Sequence, residues 1–129
     1  MGQALTMRRS VLVVMRQQAE RLMYGDVLDH DGFQTTRASL GDARQQFHAS
    51  APVVVMVGLD DDGEAVLDFV RWAKQQSGDR CRVIGVTAYP ERLLNGRVAA
   101  CDACLQVPVP MALVVSTVAR CVADAPGAD

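Results

Sequence analysis

The stretch Ala51-Pro-Val-Val-Val-Met-Val-Gly-Leu-Asp-Asp-Asp-Gly63 (APVVVMVGLDDDG) is an apolar run that leads into an acidic turn. A short, continuous, β-branched run of this kind is typical of a parallel strand that is buried on both faces. Comparable runs recur along the chain, and the predicted strands are 11–14, 34–38 (a weak one), 53–57, 83–86 and 103–107. The strand at 53–57 leads to Gly58, which has no side chain, and the nearest carboxylates come only after it.

Between the predicted strands lie segments whose apolar residues recur three or four positions apart, as in amphipathic helices. The predicted helices are 18–30, 42–49, 64–76, 90–99 and 111–123. Strands that alternate with helices indicate βαβ units, a parallel sheet and right-handed crossovers. The pattern therefore predicts one α/β domain, a three-layer (βα)5 sandwich.

The domain is predicted to span 10–123, with an N-terminal extension at 1–9 and a tail at 124–129. The tail is small, polar and rich in helix-breaking residues, so it is interpreted either as a free end or as the start of a linker. A linker would lead to an output domain outside this chain.

Composition and charge exclude several classes of protein. The 129 residues are 50% hydrophobic and 22% charged, with a formal net charge of −2, which gives no electrostatic footprint for nucleic acid or an anionic membrane. No apolar run reaches the roughly 18–20 residues that a membrane span needs, and the N-terminus lacks a signal-peptide pattern. We expect a cytoplasmic protein whose four cysteines stay reduced.

Six landmarks follow one another along the chain in a fixed order and spacing. They are Val11-Leu-Val-Val14, Gly32-Phe33, Pro52-Val-Val-Val-Met-Val57, Asp62-Gly63, Val83-Ile-Gly-Val-Thr-Ala88 and Leu105-Gln-Val-Pro108. With these landmarks the chain resembles the receiver (CheY-like) domain of two-component response regulators, from about Ser10 to Ala123. The resemblance implies a flavodoxin-like fold with strand order 2-1-3-4-5.

The resemblance also implies a chemistry, which is phosphoryl transfer to an aspartate at the end of the third strand. That chemistry needs an acidic pair after the first strand, because Mg²⁺ prefers carboxylate and water oxygens. It also needs a lysine after the fifth strand, to neutralise the phosphoryl charge, and a Thr or Ser after the fourth, to follow the phosphate. All of these groups meet at the C-terminal edge of the sheet.

This chain departs from that pattern at four positions. Gly58 stands at the phosphoacceptor position, Met15 and Arg16 stand at the acidic pair, and Val107 stands at the lysine. Thr87 alone keeps the family's residue type. Losses that agree with one another in this way indicate a degenerate pseudo-receiver, which keeps the fold and has lost the phosphorylation. We expect no enzymatic activity, no cofactor and no bound metal.

Charged residues near the vacated position allow further interpretations. Asp60, Asp61 and Asp62 could supply a displaced phosphoacceptor, but we favour carboxylates at a helix N-terminus, where they cap free N–H groups. Arg16 either binds an anion or pairs with Asp60 or Asp61, and we favour the pair.

Cys101 and Cys104 form a C-x-x-C motif. A zinc site would need two more ligands at suitable spacing, which the other cysteines and the histidines do not show. A redox pair is usually found at a helix N-terminus, whereas this motif bridges the end of a predicted helix and a strand. We therefore interpret these cysteines as structural.

The apolar residues of the last two predicted helices are candidates for an interaction surface. Leu93 and Leu94 lie in the helix at 90–99, and Leu113 and Val114 lie in the helix at 111–123. In receivers this neighbourhood is the usual docking and dimer surface, and an exposed apolar patch there would indicate a partner. The alternative is a wide core-facing stripe.

The predicted function is a signalling module that does not depend on phosphorylation. It would dimerise or bind a protein partner through the last two helices and regulate an attached or separate output domain, such as one that controls transcription. We expect no direct contact with nucleic acid or membrane. The alternatives are a sensor of a small anionic ligand or nucleotide in the vacated pocket, and an atypical receiver phosphorylated on Asp60.

Overall fold

The computed structural model of the chain describes residues 9–60, 63–78, 80–89 and 100–124. Within these ranges, five parallel strands form one sheet in the order β2-β1-β3-β4-β5. The strands are β1 (Ser10–Val14), β2 (Gln34–Ala38), β3 (Val54–Gly58), β4 (Arg82–Thr87) and β5 (Ala103–Gln106). The predicted fold class and the predicted strand order are confirmed.

Four α-helices of the described part flank the sheet. They are α1 (Gln18–His30), α2 (Ala43–Ser50), α3 (Gly63–Ser77) and α4 (Met111–Asp124), and a 3₁₀ turn (Leu40–Asp42) precedes α2. The helix predicted at 90–99 lies outside the described residues, as do 1–8 of the predicted extension and 125–129 of the predicted tail. Among the residues with described structure, no helix is long and apolar enough to cross a bilayer.

Each face of the sheet has its own apolar core. On one face the strands pack against α1 and α4, through Val11, Val13, Tyr24, Leu28, Val54, Met56, Ile84, Val86, Val114 and Val118. On the other face they pack against α2 and α3, through Leu12, Val14, Ala43, Phe47, Val55, Val57, Val66, Phe69, Val70 and Val83. Since both faces are covered, every residue of β1 and β3 is buried, which explains why these strands are continuous apolar runs.

The core-facing side of α4 differs from the prediction for Val114. Val114, Val118 and Cys121 are spaced by four and three residues and point into the core, with Val114 fully buried. Leu113 precedes Val114 by one position, about 100° around the helix, and is 44% exposed. The prediction that Val114 belongs to an interaction surface is therefore wrong, whereas Leu113 is available to solvent.

The N-terminal edge of the sheet is held by the carboxylate of Asp102, just before β5. Lys74 of α3 donates to it, Arg82 lies 3.4 Å away, and the Val83 amide donates to it at 2.7 Å. Burial alone raises the pKa of Asp102, but these donors and the two positive charges outweigh it and lower that pKa below its usual value. Lys74, the only lysine in the chain, is therefore engaged at the edge opposite the predicted phosphorylation pocket.

Candidate functional site

The candidate site lies where the C-terminal ends of the strands meet. Backbone hydrogen bonds tie the ends together: the Leu59 amide donates to Val86 O at 2.8 Å, and the Val107 amide donates to Thr87 O at 2.9 Å. The segments after β3, β4 and β5 therefore lie side by side. This is the edge at which open α/β folds place their sites.

Gly58 is the last residue of β3 and pairs in register with Val86 of β4. It is buried within the sheet, and it offers no side-chain oxygen. Leu59 follows it and is 1% exposed, because its side chain packs into the core on the α2–α3 face. The end of β3 thus holds no nucleophile at Gly58, and the first carboxylate that the structure describes after it is Asp60.

Asp60 bridges the ends of β3 and β4. The hydroxyl of Thr87 donates to Asp60 Oδ1 at 2.5 Å, and the Ala88 amide donates to Asp60 Oδ2 at 2.7 Å. The Tyr89 amide in turn donates to Thr87 Oγ1 at 3.0 Å, and the Thr87 side chain is completely buried. The Thr87 hydroxyl and the Ala88 amide, which an external anion would need as hydrogen-bond donors, therefore already donate to the carboxylate of Asp60.

The end of β1 carries a cation where the resemblance implies an acidic pair. The Met15 side chain is 1% exposed and belongs to the core, while Arg16 is exposed. The guanidinium of Arg21, in the first turns of α1, donates to Met15 O at 2.9 Å and to Arg16 O at 3.1 Å. The sequence reasoning missed Arg21, although its place five residues after Arg16, just inside a helix, allows its side chain to reach back.

The magnesium ion that the fold family implies does not fit these residues. Met15 supplies no carboxylate, and the guanidinium of Arg21 already donates to the carbonyl oxygens that follow β1. The Asp60 carboxylate accepts from Thr87 and Ala88 instead of facing an open coordination position. Across 9–60, 63–78, 80–89 and 100–124, no group of three or more His, Cys, Asp or Glu side chains could hold a metal ion.

Val107 closes the site at the end of β5. It is half-buried and packs against the core on the α1–α4 face, and a cis peptide bond joins it to Pro108. An aliphatic side chain here cannot neutralise a phosphoryl charge. Val107 therefore lies at the predicted position but provides no cationic group.

Several predicted site residues fall outside the described part of the chain. Asp61 and Asp62 of the acidic turn belong to this group, as do Leu93 and Leu94 of the proposed surface. The pairing of Arg16 with an aspartate stays a prediction.

Comparisons with known proteins place the fold. Neither a protein-family model nor a curated protein matches the sequence. The chemotaxis response regulator CheY4 of Vibrio cholerae is similar in structure, with a TM-score of 0.75 and 19% sequence identity over 87% of this chain and 97% of that chain. A response regulator from Thermotoga maritima gives a TM-score of 0.78 and 21% identity over 89% and 98% of the two chains.

NtrX from Brucella abortus, solved in complex with ADP, gives a TM-score of 0.79 and 16% identity. That similarity covers 90% of this chain and 27% of the NtrX chain. At such low identities these likenesses establish the fold, which is that of response-regulator receiver domains.

Proposed function

We propose that this receiver-fold chain is a phosphorylation-independent signalling module that acts by binding a protein partner or a second copy of itself. The contact between Asp60 and the Thr87–Ala88 segment carries the proposal. In the receivers that the chain resembles, a threonine at this position follows the phosphoryl group. Here the hydroxyl of Thr87 donates a hydrogen bond to the carboxylate of Asp60 in the same chain. Thr87 therefore already has an anionic partner in the absence of a phosphoryl group.

The composition of the pocket supports the loss of phosphoryl transfer. Gly58 has no nucleophile, and Val107 has no charge to stabilise the transferred group. Asp60 is a poor substitute acceptor, because its two oxygens already accept from Thr87 and Ala88. The module would therefore carry no catalytic activity of its own, and phosphorylation on Asp60 is the less favoured alternative.

The same contact argues against a sensor of small anions. The Thr87 hydroxyl and the Ala88 amide are the donors that an anionic ligand or a nucleotide phosphate would need at this edge. Asp60 accepts from both, and its negative charge would repel an incoming anion. Binding by protein contact is thus better supported than binding of a metabolite.

We propose that the interaction surface includes Leu113 of α4, which is 44% exposed. The segment 90–99, with Leu93 and Leu94, would complete this surface. An attached or separate output domain, for example one that controls transcription, would receive the signal in the cytoplasm. The low net charge of −2 gives no support for direct contact with nucleic acid or an anionic membrane.

Size-exclusion chromatography with light scattering tests the proposal, on protein with and without Mg²⁺ and acetyl phosphate. The expected result is a dimer whose mass does not change with the phosphodonor. Leu113→Glu should shift it to the monomer without changing the far-ultraviolet circular dichroism. Leu22→Glu is the matched control, because Leu22 of α1 is 46% exposed and lies outside the proposed surface.

A dimer that forms only in the presence of the phosphodonor would contradict the proposal. So would equal loss of the dimer in Leu113→Glu and Leu22→Glu. A monomer under both conditions would leave a different protein as the partner, to be sought with Leu113→Glu as the negative control.

A further inference from the structure

We propose that Cys101 and Cys104 form a reversible disulfide bond and make up a redox-modification site. The pair lies at the start of β5, away from the Asp60–Thr87 contact, and its chemistry does not depend on how the module signals. The sequence alone favours a structural role for the C-x-x-C motif, whereas the arrangement of the two cysteines in the fold supports a reactive pair.

Cys101 and Cys104 both lie next to Gly85. Cys104 on β5 is the register partner of Gly85 on β4, so the two residues lie side by side in the sheet. Cys101 Sγ lies 3.0 Å from the point where a Cβ of Gly85 would stand. Both cysteines pack against the core on the α2–α3 face, so their side chains lie on the same side of the sheet. The glycine thus leaves the space that the Cys101 sulfur occupies beside Cys104.

Asp102, between the two cysteines in sequence, anchors the segment that carries them. Its amide donates to Val83 O at 2.8 Å, and its carboxylate accepts from the Val83 amide at 2.7 Å and from Lys74. The backbone on which both thiols sit is therefore tied to β4 and α3. Such anchoring lowers the entropic cost of bringing the sulfurs to bonding distance.

Exposure and acidity separate this pair from the other two cysteines. Cys101 and Cys104 are partly exposed, whereas Cys81 and Cys121 are buried. The Cys101 thiol donates to the Cys104 sulfur, which lowers the pKa of Cys104 and raises that of Cys101. Burial raises the pKa of Cys81 to about 12. Since the thiolate is the reactive form, we assign Cys104 as the attacking residue and Cys101 as the resolving one.

The oxidant that we assign is a low-molecular-weight disulfide such as glutathione disulfide. The Cys104 thiolate attacks one of its sulfurs, which forms a mixed disulfide and releases one glutathione thiolate. Cys101 then loses its proton and attacks Cys104 Sγ, which forms the internal disulfide and releases the second glutathione. Two protein thiols are oxidised and one glutathione disulfide is reduced to two thiols, so two electrons and two protons are transferred.

The test is to equilibrate the folded full-length chain with glutathione buffers of increasing oxidised fraction, block the remaining thiols with iodoacetamide, and analyse the tryptic peptides. Cleavage after Arg97 and Arg120 gives a peptide 98–120 that contains Cys101 and Cys104 and neither of the other cysteines. We expect this peptide to lose two hydrogen masses and to carry no alkyl group. Dithiothreitol should restore both thiols.

Single variants assign the order of attack. Cys101→Ser should stop at a glutathione adduct on Cys104, whereas Cys104→Ser should leave Cys101 largely as a thiol. Cys121→Ser is the matched control and should form the same internal disulfide as the unmodified sequence. The equilibrium constant for the disulfide should be at least about tenfold larger in the folded protein than in urea, because the fold holds the thiols together.

Three results would overturn the proposal. The first is a peptide 98–120 that still carries two alkyl groups after equilibration with the oxidised buffer. The second is a disulfide that joins either cysteine to Cys81, to Cys121 or to another molecule. The third is an equilibrium constant that is the same in the folded protein and in urea.

Discussion

At the scale of single residues, the contact between Asp60 and Thr87 is the observation that supports the proposed phosphorylation-independent signalling. Thr87 is fully buried, so its hydroxyl needs a partner within the protein. Asp60 supplies that partner, and the Ala88 amide binds the other carboxylate oxygen. The ends of β3 and β4 are thereby held in one arrangement by the chain's own charge.

Thr87→Val should lower the free energy of unfolding by about 1–2 kcal/mol, because the Asp60 carboxylate loses a hydrogen-bond donor while the side-chain volume stays nearly constant. Urea unfolding followed by the fluorescence of Trp72, the single tryptophan, measures the change. Thr36→Val in the edge strand β2 is the matched control and should stay within about 0.5 kcal/mol of the original. Equal effects of the two changes would contradict the assigned role of Thr87.

Asp102→Asn should lower the free energy of unfolding by about 2 kcal/mol near pH 7, because Lys74 and Arg82 lose their counter-charge. The pKa of Asp102 is lower in the folded chain than its unfolded value of about 3.9. The ionised carboxylate therefore stabilises the fold fully above that pH, and the contribution is lost as the pH falls through the folded pKa. The difference between the two proteins should shrink in acid.

Urea unfolding at several pH values measures this difference. Asp68→Asn on the exposed face of α3 serves as the control and should show a small effect throughout. A penalty for Asp102→Asn that stays constant down to acidic pH would mean that the charge of Asp102 does not support the fold.

The sequence predicts which residues stand at the strand ends but not the contact between Asp60 and Thr87. Continuous apolar runs identify the buried strands, so the sequence predicts that strand ends lie at Gly58, Met15 and Val107. The bond between Asp60 and Thr87 joins residues 27 positions apart, and its geometry depends on how the turn after β3 leaves the sheet. No periodicity in the sequence encodes that path.

At the scale of secondary-structure elements, the close approach of β4 to its neighbours depends on Gly85. A Cβ added there would lie 2.6 Å from Leu59 Cδ1 and 3.0 Å from Cys101 Sγ. Gly85→Ala should therefore lower the free energy of unfolding by about 1–3 kcal/mol, because the added methyl group overpacks the core. It should also push Cys101 away from Cys104.

Thermal or urea unfolding of Gly85→Ala measures that cost, and Gly41→Ala is the control. A Cβ at Gly41 would meet only Ser39 Oγ, at 3.9 Å, so the control should change the free energy of unfolding by less than about 0.5 kcal/mol. A neutral Gly85→Ala would show that Leu59 can move aside without loss of packing.

The orientation of α4 illustrates where element-scale prediction fails. Leu113, Val114 and Val115 are consecutive apolar residues, so periodicity identifies the helix without showing which side faces the sheet. The structure shows Val114 fully buried. Val114→Ala should therefore lower the free energy of unfolding by about 2 kcal/mol, and Leu113→Ala should lower it by less than about 0.5 kcal/mol. Urea unfolding of both variants checks this, and equal costs would contradict the assigned orientation.

At the scale of the whole molecule, the fold and its usual chemistry are separable. Apolar periodicity and strand patterning are enough to predict five parallel strands flanked by helices, because both cores depend on those patterns. The observed strand order follows from the resemblance to receiver domains and not from periodicity. The chemistry depends on a few polar side chains at one edge, and these can be replaced without disturbing either core. The fold can therefore be kept while these polar side chains differ, as the proposed signalling module requires.

The most direct test is intact-mass analysis of the protein after incubation with Mg²⁺ and acetyl phosphate. We expect no added phosphoryl mass, because Gly58 has no nucleophile and Asp60 is held by Thr87 and Ala88. A phosphoryl adduct that hydroxylamine removes, and that is absent from Asp60→Asn, would show that the protein is a working receiver with a displaced acceptor.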